Sequence, residues 1–189
     1  MDGFTVVVHG LIEGAESLAA DMLYCRCTLV KGKDWILATA PSGTVGASTP
    51  EIITQMCERL PGPVAKFTWN APFDFTLTST NTFGWPQMAI ALTTVDNSGK
   101  DVVVGYARCH IPAHAGHYTK DLPLIEPIAS TPQHKLFGFF SGTRPELRDP
   151  SFLCSGEDRI VMTAKMLSGY VRVTFDVVVS GRQALGYDF

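Results

Sequence analysis

The chain has 189 residues, of which 46% are hydrophobic and 17% charged, and its formal net charge is -3. This length fits one domain of roughly 100–200 residues, so we expect a single domain over residues 1–189. The mild acidity and the lack of a Lys/Arg cluster argue against a nucleic-acid partner, which requires a basic face. The charged fraction lies below the ~25% usual for soluble domains. We therefore expect Ser, Thr and Gly to cover part of the surface, or a partner protein to bury it.

The start of the chain and its cysteines indicate a reducing compartment. Met1 is followed by Asp2 without an apolar signal region, so no signal peptide is expected. No apolar run approaches the ~18 residues of a membrane span. The five cysteines have no compact spacing, so we expect reduced, mostly buried thiols in a cytosolic protein. They are Cys25, Cys27, Cys57, Cys109 and Cys154.

Alternation of apolar and polar residues predicts β-strands along most of the chain. In chain order the clearest are Phe4–His9, Leu23–Val30, Phe73–Thr78, Gln87–Thr93, Asp101–Ile111 and Tyr170–Val179. In the last of these, Val171, Val173, Phe175 and Val177 form the face that we expect to be buried. Asp96–Lys100 is a predicted hairpin loop, because Asn and Gly tolerate positive φ there. The fold class is all-β, an antiparallel sandwich with at most one or two short helices.

Several connections have more specific predictions. Pro50–Leu60 is the best helix candidate, with a strand as the alternative. Ser168-Gly169 predicts a tight hairpin turn between a strand at Arg159–Leu167 and the strand that follows it. Trp69 ends a strand, and a short break at 70–72 precedes the next one. Strands Phe4–His9 and Asp101–Ile111 carry few charges, so as open edges they would pair readily with another chain.

Three histidines near Cys109 raise the possibility of a zinc site. They are His110, His114 and His117, and four convergent ligands would be needed. Pro112 lies between the first two and prevents a regular helix that would align them. We therefore interpret this stretch as an ordinary polar loop.

Two other short patterns also lack a complete metal site. Cys25 and Cys27 share one face of a strand at a separation of about 7 Å, too far for a disulfide, and no second pair completes a zinc site. Asp96 and Asp101 bracket a loop faintly like a calcium loop, but the bidentate Glu further on is missing. We assign no catalytic residue, no cofactor and no metal.

Several motifs together resemble the B9 (B-nine) domain family of the ciliary transition zone. The most specific is Asn81-x-Phe-Gly-Trp-Pro-Gln87, and the resemblance covers Phe4 to Phe189. The others are Leu23-Tyr24-Cys25, Gly32-Lys33-Asp34-Trp35, Trp69-Asn70-Ala71-Pro72-Phe73-Asp74, Gly105-Tyr106-Ala107-Arg108-Cys109-His110-Ile111-Pro112, Gly142-Thr143-Arg144-Pro145-Glu146 and Leu185-Gly186-Tyr187-Asp188.

The resemblance implies a sandwich similar to the lipid-binding C2 domain and a non-catalytic role. It implies membership of the Meckel-syndrome (tectonic-like) complex at the transition zone and basal body, on the cytoplasmic side of the ciliary base. That complex supports cilium assembly and controls which membrane proteins enter the cilium. The implied partners are other B9 domain proteins and subunits of that complex, in a hetero-oligomer whose membrane association is indirect. At the C-terminal end, Tyr187 and Phe189 are candidate partner-binding anchors, with packing on their own core as the alternative.

The residues alone leave three functions open: a protein-interaction module, a peripheral membrane-binding C2-like domain, and an enzyme on a sandwich scaffold. The loops lack the clustered Asp of calcium-dependent lipid binding, and no basic patch supports calcium-free binding. No phosphate loop, nucleophile elbow or acid pair favours an enzyme, although a triad can assemble from distant residues. Five aromatic residues of the motifs are expected in the core. They are Trp69, Phe73, Phe75, Phe83 and Trp85.

Overall fold

A computed structural model describes residues 3–39, 50–128, 145–156 and 163–187 of the chain. These residues form ten strands and contain no α-helix. The strands are β1 Phe4–Ser17, β2 Met22–Val30, β3 Ile36–Thr39, β4 Glu51–Ile53, β5 Cys57–Glu58, β6 Lys66–Ser79, β7 Gln87–Val95, β8 Asp101–His110, β9 Gly116–Pro127 and β10 Ala164–Ser180. Two short 3-10 helices lie at Pro150–Cys154 and Arg182–Leu185.

The sheet is antiparallel and has the order β3-β6-β1-β10-β9-β8-β7-β2-β4, with β5 added beside β2. The pairing between β9 and β8 is limited to Tyr106 and Ile125. The sheet therefore consists of two halves, β3-β6-β1-β10-β9 and β8-β7-β2-β4, which curl to face each other. The predicted all-β sandwich is confirmed.

One hydrophobic core fills the space between the two halves. It includes Phe4, Val6 and Val8 of β1 together with inward side chains of β2, β6, β7 and β10. The four residues predicted to be buried in β10, Val171, Val173, Phe175 and Val177, are each at most 3% exposed. Alternation of period two thus places the core face of β10 correctly.

A smaller cluster lies on the outer face of β7 and β8. Leu153 of the first 3-10 helix is fully buried against Ala91 and Tyr106. The backbone N–H of Leu147 donates to the hydroxyl of Tyr106 at 2.9 Å, and that of Val103 donates to the carboxylate of Glu146 at 3.0 Å. Residues 145–156 therefore cover this face of the second half.

The predicted hairpin turn at Ser168-Gly169 is wrong. β10 continues through both residues, and its pairing with β9 shifts register between Met166 and Tyr170. Gly169 has a φ of 129°, and a Cβ there would clash with the carbonyl oxygen of Glu16. The glycine is required by close backbone approach at a bulge and not by a turn. Residues 157–162, which include the start of the predicted partner strand, lie outside the described residues.

Two other local predictions are also corrected. Pro50–Leu60 contains β4 and β5, so the strand alternative is right and the helix is wrong. The predicted break at 70–72 is absent, because β6 runs from Lys66 to Ser79. Asn70 adopts a φ of 49° within it, and the register with β1 shifts there. A polar residue that tolerates positive φ thus marks a bulge within a continuous strand.

The two strands expected to form open edges lie inside the sheet. β1 pairs with both β6 and β10, and β8 pairs with both β7 and β9. The edge positions are taken instead by β3 and β4, which have 4 and 3 residues. Low charge in β1 reflects pairing on both sides, whereas β8 is paired along its length with β7 and only at Tyr106 with β9. Very short edge strands limit pairing with other chains.

Replacing Phe175 by Ala should destabilise the fold by about 3–5 kcal/mol, because a fully buried aromatic side chain would leave a cavity. The Phe175 ring also packs edge-on against Phe73, with centroids 5.7 Å apart. Val178→Ala is the matched control on the same strand, since Val178 is exposed and should cost about 0.5 kcal/mol or less. Urea denaturation measures both, and equal losses would contradict the assignment of the two faces of β10.

Candidate interaction surface

Aromatic side chains close one end of the sandwich, where β1 begins and β10 ends. Phe4 packs edge-on against Trp35 with centroids 5.4 Å apart, and Trp35 packs edge-on against Trp85 at 4.9 Å. The Trp85 indole N–H donates to the carbonyl of Ile111 at 2.8 Å. These contacts tie together three different connections between strands. We call this region, formed by residues 31–35, 80–86, 111–115 and 181–187, the aromatic end.

Phe83 projects from the aromatic end into solvent. Its side chain is 83% exposed, whereas the other four aromatic residues expected in the core are buried or half-buried. They are Trp69, Phe73, Phe75 and Trp85. The prediction of a core position is therefore wrong for Phe83 alone. The reason is that Phe83 occupies a turn between β6 and β7, where its ring points away from the sheet.

The backbone of this turn is held on both sides of Phe83. The N–H of Phe83 donates to the side-chain oxygen of Asn81 at 2.9 Å, and its carbonyl accepts from the buried Trp35 indole at 2.9 Å. Gly32 donates its N–H to the carbonyl of Gly84 at 2.9 Å. Gly84 has a φ of 65°, and a Cβ on it would lie 2.6 Å from the Cα of Gly32. The turn is thus fixed against the connection between β2 and β3.

Of the two C-terminal candidate anchors, Tyr187 lies at the aromatic end. Its ring packs edge-on against Phe4 with centroids 5.7 Å apart, and the residue is half-buried beside the core. Part of the ring is therefore used in packing on the chain itself, and part remains accessible. Phe189 lies outside the described residues.

The opposite end of the sandwich carries apolar side chains on two connections. Leu18, between β1 and β2, is 71% exposed, and Leu60 and Val64, between β5 and β6, are also exposed. Leu18 and Val64 line one shallow depression together with Gly169 of β10. The charged side chains nearby include Asp21 and Arg59, whose side chains lie 3.0 Å apart. We call this region the loop end.

A groove of about 170 Å³ lies on the outer face of the sheet at the bulges of β1 and β6. Tyr170 and Arg172, which line it, are each bound to a carboxylate in or beside the groove. The Tyr170 hydroxyl donates to the Glu16 carboxylate at 2.7 Å, which raises the pKa of Tyr170. Arg172 donates two hydrogen bonds to Asp121, at 2.7 and 2.8 Å, and lowers the pKa of that carboxyl. The groove thus stabilises an irregular part of the sheet.

The histidines near Cys109 do not converge. His110 ends β8, His114 lies in the following connection, and His117 lies in β9, where its Nδ1 is 2.7 Å from a carboxylate oxygen of Asp176. Within the described residues, no group of three His, Cys, Asp or Glu side chains could hold a metal ion.

The predicted hairpin loop between β7 and β8 is confirmed, and its acidic residue stabilises the turn. One carboxylate oxygen of Asp96 accepts from the N–H groups of Ser98 at 2.7 Å and Lys100 at 2.9 Å. The hydrogen bond from the Ser98 side chain lowers the pKa of Asp96. The Asp96 carboxylate therefore acts as a turn cap, which explains its faint likeness to a calcium ligand.

All five cysteines are free thiols, as predicted, and four of them are buried. Burial raises the pKa of Cys25, Cys109 and Cys154 to about 12, and it raises that of Cys27 well above its ordinary value. Since the thiolate is the reactive form, these four are inert near neutral pH.

Among the described residues there is no helix long and apolar enough to cross a membrane.

At pH 8, a disulfide reagent should modify one thiol in the native protein and five after unfolding in urea. The reactive thiol is Cys57, because it is partly exposed while the other four are buried and protonated. Absorbance of the released thiolate counts the modified groups. Cys57→Ala should reduce the native count to zero, and rapid native labelling of a second thiol would contradict the burial of the remaining four.

Gly84→Ala should destabilise the fold by about 2 kcal/mol or more, since it adds left-handed backbone strain to a clash with Gly32. Gly99→Ala is the matched control, because Gly99 has a φ of 79° but an added Cβ would meet no atom within 4 Å. Gly99→Ala should therefore lower the free energy of unfolding only by the cost of the left-handed backbone, about 1–2 kcal/mol. Urea unfolding gives the difference, and equal losses would show that the Gly32 contact is unimportant.

Comparison with known proteins identifies the family. A family model described as "Ciliary basal body-associated, B9 protein" matches residues 6–178. The chain is 36% identical to B9 domain-containing protein 1 of Xenopus laevis over 185 residues, covering 98% of this chain and 89% of that protein. For the human protein of that name the identity is 35%, over 98% of this chain and 86% of the relative.

A second type of relative is more distant. The chain is 28% identical to B9 domain-containing protein 2 of Mus musculus over 155 residues, which is 82% of each chain. The resemblance drawn from the sequence motifs is confirmed by both the family model and the relatives. The chain belongs to the B9 family of ciliary basal body-associated proteins.

Proposed function

We propose that this chain is a non-catalytic protein-interaction subunit of a Meckel-syndrome (tectonic-like) complex at the ciliary transition zone. It acts on the cytoplasmic side of the ciliary base, as one domain over residues 1–189, and supports cilium assembly and the membrane diffusion barrier. The observation that carries this proposal is family membership across residues 6–178. Its direct partners are other B9 proteins, and relatives named B9 domain-containing protein 2 supply the candidate.

The surface of the chain supports a role in assembly. Only 17% of the residues are charged, and a surface with few charges is poorly protected from association. Exposed apolar side chains occur at both ends of the sandwich, with Phe83 at the aromatic end and Leu18 at the loop end. Phe is among the aromatic residues that are enriched in protein interfaces.

Co-expression with B9 domain-containing protein 2 of the same organism tests this function. The chain alone should be poorly soluble or self-associated, and the pair should elute from gel filtration as a discrete hetero-oligomer. A stable interface should bury about 1,200–2,000 Å² in total. The proposal fails if the isolated chain is a monodisperse monomer at high concentration and the relative does not co-elute with it.

The second candidate function is direct membrane binding, as in a peripheral C2-like domain. The observation that favours it is the exposure of Leu18 and Val64 on neighbouring connections at the loop end, since apolar side chains on loops can enter a bilayer interface. Sedimentation with vesicles of phosphatidylcholine and phosphatidylserine separates the two functions. Binding that is lost in Leu18→Asp would favour the membrane, and no sedimentation would favour the protein partner.

A further inference from the structure

We propose that Phe83 is the anchor of a protein-binding site at the aromatic end, and that its ring enters an apolar pocket with an acidic rim on a partner subunit. This inference rests on the proposed function and names the surface that performs it. The ring of Phe83 is 83% exposed, whereas the backbone on both sides of it is bound to buried or half-buried groups.

Within the part of the chain that the structure describes, hydrogen bonds hold the backbone of Phe83 and its side chain is left 83% exposed. Asn81 supplies the oxygen that fixes the backbone N–H of residue 83, and its amide nitrogen donates to the Asp34 carboxylate at 2.9 Å. The Trp35 indole binds the backbone carbonyl of residue 83 and not the side chain. A polar residue at position 83 would keep all of these hydrogen bonds. The aromatic side chain at this position is therefore available for contacts outside the described fold.

The turn is also rigid, which favours a binding role. Gly32 and Gly84 lie in direct backbone contact, and the N–H of Gly32 donates to the Gly84 carbonyl. The hydroxyl of the buried Ser79 donates to the carbonyl of Asn81 at 2.8 Å. Because the backbone is already fixed, binding orders only the two side-chain torsions of Phe83. A preorganised aromatic anchor loses little conformational entropy on association.

The groups around Phe83 indicate which kind of partner fits. Lys33 is exposed on the connection that packs behind Gly84, and Ile36, which follows that connection, is 67% exposed. Asp34 is held beside the turn by Asn81. Asp34 and Lys33 do not form the cluster of four to eight basic residues typical of binding to anionic lipid. An apolar pocket on a protein with a carboxylate near Lys33 matches this arrangement better.

The test measures binding to B9 domain-containing protein 2 for the full chain and its variants, each co-expressed with that protein and purified as the complex, by following dissociation on dilution. Phe83→Ala should weaken the complex by roughly 30-fold, because truncating a central aromatic anchor costs about 2 kcal/mol or more and 1.4 kcal/mol is tenfold. Phe83→Leu should recover part of that loss. Lys33→Glu should slow association and reduce its dependence on salt.

Met166→Ala is the matched control, since Met166 is 70% exposed on β10 near the loop end. It should change the dissociation constant by less than about threefold, as near-neutral positions do. The urea midpoint of Phe83→Ala should equal that of the wild type, which separates a lost contact from a lost fold. If Phe83→Ala binds like the wild type, the anchor is wrong and the proposed function stands.

Two other outcomes are also decisive. If the wild-type chain does not bind B9 domain-containing protein 2, the proposed partner and the anchor both fail. If Phe83→Ala keeps its affinity for that protein but loses sedimentation with phosphatidylserine vesicles, the ring contacts lipid, and the protein-binding site is overturned.

Discussion

The cohesion of this sheet depends on side chains packed between its two halves, because the halves share almost no backbone pairing. β8 and β9 meet at Tyr106 and Ile125, whereas β1 and β10 pair at 12 positions. Burial of apolar surface between the halves must therefore supply the attraction. Polar contacts between the halves include the hydrogen bonds from the Trp69 indole to the carbonyl of Leu23 at 3.3 Å and from the Gln55 side chain to the carbonyl of Trp69 at 3.2 Å. Because the core holds the two halves together, it has to be shielded from water at both ends of the sandwich.

The two ends are closed in different ways, and this difference determines what each can offer to a partner. At the aromatic end, Phe4, Trp35 and Trp85 seal the core and fix three connections. The turn that carries Phe83 is rigid because Trp35 belongs to both the core and the turn. At the loop end, apolar side chains such as Leu18 extend beyond the last strand residues into solvent. At the aromatic end, the same residues therefore close the core and hold the turn that exposes the Phe83 ring.

The sequence allowed the strands and the buried face of β10 to be predicted, because period-two alternation directly reflects a half-buried strand. At Gly169 and Asn70 the sequence predicts a turn and a break where the structure has bulges, since the same residues that permit turns also permit bulges. The sequence predicts open edges at β1 and β8, but both strands lie inside the sheet. Strand order depends on contacts between residues distant in the sequence, and the alternation within one strand does not reveal those contacts. The exposure of Phe83 also escaped prediction, since composition favours a core position for Phe. Asn81 and Gly84 were the available signal, because they mark a turn.

The polar groups of the outer face are largely engaged within the sheet, and this limits what the surface can do. Arg172 is bound to Asp121, Tyr170 to Glu16, and the Thr174 hydroxyl to Glu13. These pairs surround the bulges, where the regular hydrogen-bond ladder is interrupted. These side-chain pairs therefore stabilise the irregular backbone of the bulges. The prominent groups that the described fold leaves unused are apolar, Phe83 above all, and apolar groups on a rigid frame recognise shape in another macromolecule.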